Sequence, residues 1–388
     1  MKTKMKIISS NKYYLLTAVV VVFFFSGCKV PYDPTLKTSG DRFLIVEGFI
    51  NVNGVPTNIK LSRTRNITKG DTASNINETG ANVVIEDNQN NIYPLNETGD
   101  GNYSATYTLS PSNQYRLHIT TLNHEEYVSD FVSVKDSPPI DDLGWKFNYG
   151  DVQIYVNTHD PNNQTTYYRW DYKETWEFHS EYYSTLMYDA TNEKVVDRNV
   201  PVYVCYQTRN SSNIFLGSTA KLQQDVIHEA PLALIPYHDK RISVLYSIEV
   251  TQYALDPSAY KYWSTLKENT ENIGSVFGQQ PSENVGNIHS LTNPFERVIG
   301  YISAGSSQQA RLFISNTSMP PNWNQKDNCD YIEVPPIKDS LKIYFGIQGF
   351  VPIKPDLNGI IVLGYFASEG PCVDCTINGT SQKPTFWP

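Results

Sequence analysis

The sequence predicts a mainly β protein, with an N-terminal immunoglobulin-like or transthyretin-like β-sandwich followed by a larger β-rich domain carrying one helical insertion. Three observations predict it. Tyrosine is abundant at 27 residues and methionine scarce at 4. Short valine- and isoleucine-bearing runs alternate with turn residues along most of the chain, which is how strands and hairpins read. Only one stretch has both the spacing and the end signals of a helix.

A leader precedes the fold. Lys2, Lys4, Lys6 and Lys12 flank LLTAVVVVFFF, an uncharged run from Leu15 to Phe25. A membrane-spanning helix needs roughly 20 apolar residues, so this run is too short to cross comfortably. It has the length and basic flank of a secretory signal peptide. Phe25-Ser26-Gly27-Cys28 follows, and small residues ahead of a cysteine resemble a bacterial lipobox, against the plainer readings of an ordinary signal peptide with a coincidental cysteine or an uncleaved anchor. Cleavage before Cys28 would leave that residue acylated at the new N-terminus, each buried methylene adding about 0.8 kcal/mol of membrane affinity. The expected layout is a lipoprotein signal peptide at 1–27, a tether at 28–42, a β-sandwich at 43–136 and a β-rich domain at 137–388. The leader holds four of the 31 Lys and Arg and none of the 40 Asp and Glu, so its removal moves the net charge from −9 to −13. An acidic chain with no basic run argues against nucleic acid and against an electrostatic membrane patch.

The tether, KVPYDPTLKTSG, is polar and non-periodic with two prolines. In the first sandwich, two apolar runs flank Asn53-Gly54, the strongest short hairpin signal. GANVVIEDNQNNIYPLNE repeats the pattern around a polar turn. Tyr115, Leu117 and Ile119 recur every second residue, so one strand face can be buried. Roughly seven short strands fit between 43 and 135, as such a sandwich requires. SPPIDDLG, at 137–144, reads as a linker.

The second domain opens with a strand pair in WKFNYGDVQIYVNTHDP. The next strand puts Tyr168, Trp170, Tyr172, Trp176 and Phe178 on one face and the odd-numbered residues from Tyr167 to His179 on the other. Glu174 interrupts the aromatic row. A carboxylate buried alone is costly and tends to protonate or find a partner. Trp170, Trp176 and Glu174 are therefore candidate ligand contacts, against the plainer readings of a solvent-reaching strand end or a salt bridge to arginine. The helix is expected near 256–273: Asp256 can cap it, Pro257 suits its first turn and Gly274 can end it. Ala259, Tyr262 or Trp263, Leu266 and Ile273 form an apolar stripe that reads as core packing. RVIGYISAG, ARLFIS, YIEV and GIIVLGYFA supply later strands.

With Cys28 acylated, four cysteines remain as disulfide candidates: Cys205, Cys329, Cys372 and Cys375. In an exported chain an even count indicates disulfides, with three connectivities open. Zinc would want a second close pair, and a redox CVDC would lie between a strand and a helix. Here it lies in a Gly- and Pro-containing tail with nothing helical expected after it, so structural disulfides are favoured. No nucleophile elbow, phosphate loop or zinc-protease motif occurs. No catalytic residue, metal ligand set or cofactor is expected, beyond lipid on Cys28.

The passage from YSIEVTQYALDPSAYKYW through NIHSLTNPFERVIGYISAG resembles the central signature of the domain-of-unknown-function family 4249. The lipobox, FLIVEGFIN, YYRWDYKET and CVDCTINGTSQKPTFW resemble that family in the same order. One departure is Ser290 after His289, where the family leads one to expect cysteine; it separates this chain from any disulfide pattern copied from relatives. The resemblance implies an outer-membrane lipoprotein, anchored by lipid and surface-exposed, often encoded beside a TonB-dependent receptor. Asp71-Thr72-Ala73 and Asp339-Ser340-Leu341 resemble O-glycosylation triplets of that phylum. The expected function is a non-catalytic accessory or ligand-binding partner of a TonB-dependent outer-membrane receptor. The alternatives are a surface enzyme or inhibitor acting on glycans or peptides, and a structural or adhesive envelope protein.

Overall fold

The computed structural model describes residues 42–65, 75–271, 285–324 and 328–388. The leader, Cys28, the tether to residue 41 and the triplet at Asp71 lie outside the described residues, as do Ile273 and Gly274. Phe43–Arg65 with Gly70–Pro388 forms one compact unit, to which all the elements below belong. The expected boundary at 136/137 falls inside that unit.

The first sandwich begins with β1 (Leu44–Asn51) and β2 (Asn53–Arg63), paired antiparallel from Leu44↔Arg63 to Phe49↔Asn58. That register centres on Asn53-Gly54, and Gly54 takes φ +78°, where a side chain would be strained. β3 (Ile76–Asn77), β4 (Asn82–Asp87), β5 (Ile92–Gly99), β6 (Asn102–Thr108), β7 (Gln114–Thr120), β8 (Glu126–Ser129) and β9 (Val132–Asp136) follow. Tyr115, Leu117 and Ile119 are buried together, with Val83 and Ile85 on the neighbouring strand. The period-2 pattern thus marks the face that meets β1 and β2 across the core. Asp87 sets the β4–β5 turn by accepting from the backbone amides of Gln89 and Asn91.

The segment expected as a linker is not one. Only residues 137–139 connect, because β10 already runs Ile140–Asn148. Ser137 is buried, and its amide donates to Ser306 Oγ at 3.0 Å. The fully buried Gln252 amide donates to Pro138 O at 2.8 Å and Thr158 Oγ1 at 3.1 Å, while accepting from Trp170 Nε1 at 2.9 Å. Buried polar backbone must be paired, and the side chains of Gln252, Gln308, Thr158 and Ser306 do this together for the junction.

β10 pairs with β11 (Asp151–His159) around Tyr149-Gly150, both at positive φ, the geometry of a tight primed hairpin turn. β12 is Tyr167–His179, the hairpin β13 (Leu186–Asp189)–β14 (Lys194–Asp197) follows, and β15 (Val204–Asn210) and β16 (Phe215–Ser218) share one edge of β12 in succession. β17 (Val226–Ile235) completes a three-stranded sheet with β10 and β11. β18 (Leu245–Leu255) lies antiparallel along the other edge of β12. A second core fills the space between these sheets, from Val152, Ile154, Tyr168, Trp170, Ile235, Ile248 and Trp323. The helix α1 spans Pro257–Glu271, capped by Asp256, whose Oδ1 accepts from Ser258 N at 2.7 Å and Ala259 N at 3.0 Å.

The chain then returns to the first sandwich. β19 (Ile288–Ser290) pairs with β8, and β20 (Ile299–Gly300) lies parallel to β1. β21 (Ala304–Ser315) belongs to both halves: its first residues pair parallel with β1 and β9, and Ser307 onward pairs antiparallel with β18. One strand thereby makes a continuous hydrogen-bonded path from β15 to β19.

The tail builds a small sheet of β22 (Tyr331–Val334), β23 (Phe350–Asn358) and β24 (Ile361–Glu369), in the order β22-β24-β23. A short helix over 338–347, π-wound in its second part, adds Leu341 and Phe345 to its core. Helical turns also occupy 370–373 and 375–377, where none was expected. The adjacent cysteines of CVDC do not bond each other: Cys375 bonds Cys205 and Cys372 bonds Cys329. Cys329 therefore has a partner despite the serine at 290.

Candidate functional site

The residues singled out on β12 are placed inside the core. Trp170 is 1% exposed, Trp176 8% and Glu174 0%, so no ligand at the surface rests on them. This is a correction with a simple cause: alternation separates the two faces of a strand, and the aromatic face is the one covered by β11 and β17. Glu174 is the salt-bridged acid. Its Oε1 accepts from Arg209 Nε at 2.7 Å, and its Oε2 accepts from Arg241 Nη1 and Tyr246 OH, each at 2.9 Å. Burial, reinforced by the Glu174 charge, pushes the Tyr246 hydroxyl well above its ordinary pKa.

The odd-numbered face of β12 does reach an opening. Arg169, Asp171 and Lys173 stand on the floor of an open cleft of about 770 Å³, beside Glu249, Thr251 and Tyr253 of β18. Glu47, Phe49 and Asn51 of β1 and Asn58 to Lys60 of β2 form one side; Trp263, Leu266 and Thr270 of α1, with the loop 210–214, form the other. That volume lies within the roughly 300–1,000 Å³ of small-molecule sites. The expected apolar stripe on α1 is thus divided: Ala259 and Tyr262 are buried, whereas Trp263 and Leu266 line the cleft.

Arg169 is the central feature of the floor. Its guanidinium lies 4.2 Å from the Trp263 ring centre and 4.5 Å from that of Tyr253, and it pairs with Asp171 at 2.9 Å. Phe49 packs on Tyr253 at 4.8 Å. Stacking a cation between two rings ties α1 to the sheet. Burial pushes the Tyr253 hydroxyl up to about 12; the Asp171 charge adds to this and Arg169 opposes it.

The loop wall is held at both ends. Ser211 N donates to Tyr172 O at 2.8 Å, and Ser211 Oγ accepts from Tyr172 N at 3.1 Å. Ile214 N donates to Glu271 Oε1, and Lys267 Nζ to Ile214 O, each at 2.7 Å. The loop crosses where β12 exchanges β15 for β16, a place where strand backbone would otherwise lack partners. Sequence reading missed this site, because its residues run from 47 to 270 and no motif joins them. The usable signal was local: the polar run NSSN next to a strand whose opposite face carries charge.

Two of the three cleft acids are committed to ion pairs. Asp171 pairs with Arg169, Glu249 pairs with Arg311, and Glu47 stands opposite Lys60 in the β1–β2 register. Among the described residues no group of three or more His, Cys, Asp or Glu is placed to hold a metal ion, and no helix is long and apolar enough to cross a membrane.

Residues 29–311 match the model of a family described as a domain of unknown function, DUF4249. No curated protein matches significantly. Among solved structures, a two-domain fibronectin type-III segment of chicken tenascin aligns at 11% identity over 55% of this chain and 93% of its own, with a TM-score of 0.16. A DUF3823 family protein from Parabacteroides merdae aligns at 14% identity over 55% and 91%, with a TM-score of 0.12. Neither superposition is close enough to carry an argument.

Proposed function

Since the chain belongs to the domain-of-unknown-function family 4249, we propose that it is an outer-membrane lipoprotein, held at the cell surface by acylated Cys28, that serves a TonB-dependent receptor as a non-catalytic, ligand-binding accessory. The cleft carries this reading: it is a preformed concave site whose walls are fixed by hydrogen bonds and stacking. Two disulfides support an address outside the cytoplasm, where such bonds persist. Binding is favoured over hydrolysis because two of the three cleft carboxylates, Asp171 and Glu249, are held in ion pairs with arginines. Glycoside hydrolysis needs two carboxyl groups, about 5–10 Å apart, free to act on a bond.

The test is affinity purification of the tagged lipoprotein from intact outer membranes in mild detergent, with crosslinking in parallel. A large β-barrel receptor is expected to copurify. Recovery of the lipoprotein alone from both preparations would overturn the partnership.

A further inference from the structure

We propose that the cleft binds a neutral oligosaccharide, with Trp263 as its stacking platform and the loop 210–214 as its hydrogen-bonding wall. This deepens the ligand-binding role above and rests on it only in taking the cleft as the ligand site.

The lining sets the chemistry. Five asparagines, two serines and two threonines face the cleft. An amide offers donor and acceptor from one planar group, and a hydroxyl does the same from one atom. A sugar hydroxyl needs such dual partners; a phosphate or carboxylate needs donors alone. Several of these groups are already used: Asn51 donates to Pro56 O, Asn58 accepts from Ser104, and Asn102 donates to Gly99 O. The side chains of Asn210, Ser212 and Asn213 make no hydrogen bond among the described residues, and all three are exposed. The wall is thus rigid in backbone and open in side chain.

Charge points the same way. The mature chain is strongly acidic, yet the cleft lining balances Lys60, Arg169 and Lys173 against Glu47, Asp171 and Glu249, with Asp171 held by Arg169 and Glu249 by Arg311. A site for a polyanion or polycation would carry an unbalanced cluster. The aromatic component is Trp263, half-buried on α1 and positioned by Arg169. Indole rings take the apolar faces of pyranose rings, whose C–H bonds lie on one side, while the hydroxyls project toward the polar wall. Arg169 Nε, buried, has no acceptor among the described residues; a hydroxyl oxygen seated against the guanidinium would supply one.

The experiment uses the purified, detergent-solubilised mature lipoprotein. Tryptophan fluorescence and calorimetry are read against neutral hexasaccharides of α- and β-1,4-linked glucose, β-1,4-linked xylose, β-1,4-linked mannose and β-1,4-linked N-acetylglucosamine. An oligogalacturonate and hexa-alanine serve as the charged and peptide counterparts. Binding of at least one neutral hexasaccharide is expected, weakened tenfold or more in Trp263→Ala. Asn213→Ala, a loop change that leaves the fold untouched, is expected to weaken it at least threefold. Tyr149→Asn, at an exposed aromatic of the distant β10–β11 turn, should bind as wild type. Binding of none of the neutral sugars, preference for oligogalacturonate or peptide, or equal affinity in both cleft variants would overturn the assignment. Receptor copurification is scored separately, so either proposal can fail while the other stands.

Discussion

At the scale of single residues, Glu174 shows how burial decides a role. An acid in an aromatic row could be a poised catalytic group or a structural ion. Here both carboxylate oxygens are occupied, by Arg209 on one side and by Arg241 and Tyr246 on the other. Removing one member of a buried ion network typically costs about 3–5 kcal/mol, because the remaining charge stays desolvated. Glu174→Ala is expected to fall below that range, at about 1–3 kcal/mol, because Arg241 keeps Asp239 and Arg209 is 60% exposed. A denaturant titration checks it, and an unchanged midpoint would show that the network contributes nothing net. The same variant should leave saccharide binding intact at temperatures where it remains folded, since Glu174 is not among the cleft residues.

At the scale of elements, β21 is the strand on which both halves depend. Its first residues approach β9 so closely that a Cβ on Gly305 would sit 2.0 Å from Lys135 O. No neighbouring side chain can yield there, because the obstacle is backbone. Gly305→Ala is expected to push β9 off β21 and cost about 1–3 kcal/mol, in the manner of overpacking. Hydrogen exchange offers a local readout: amides of 132–136 should exchange faster, while those of β12 and β18 keep their protection. Uniform exchange across the molecule would refute the local account. The helix α1 shows the opposite relation of sequence to structure. Its cap, first-turn proline and buried Ala259 act within a few residues of each other, and all were legible. Which part of its apolar stripe would line an opening was not.

At the scale of the molecule, the tail is bound to the second sandwich by a covalent link and a strap. Cys205–Cys375 joins edge strand β15 to the tail across a separation of 170 residues, and Cys329–Cys372 closes the tail on itself. Beyond it, Tyr206 and Thr380 exchange both backbone hydrogen bonds, and Trp387 packs on Tyr206 and Phe313 while donating to Glu177. Changing Cys205 and Cys375 together to serine removes a cross-link that restricts the unfolded chain over a long loop. The expected loss is about 2–5 kcal/mol under non-reducing conditions, with earlier proteolysis of residues 376–388. Equal protease resistance would show that the strap holds by packing alone.

Features set by nearest neighbours were legible along the chain. Turn residues at Asn53-Gly54, strict alternation in Tyr115, Leu117 and Ile119, and the Asp256-Pro257 start of α1 act over one strand or one helical turn. Each therefore carries its own conformation wherever the chain goes. Which surfaces meet depends on the assembled fold. Alternation on β12 separates Trp170 and Trp176 from Arg169 and Asp171, but it is symmetric between burying one face and burying the other. Two cysteines in CVDC pair with residues 43 and 170 positions away because strands bring them there. The cleft is assembled from residues far apart in the chain, so its geometry exists only once β21 has joined the two sandwiches. Local periodicity is a property of a segment; a binding site is a property of the contacts between segments.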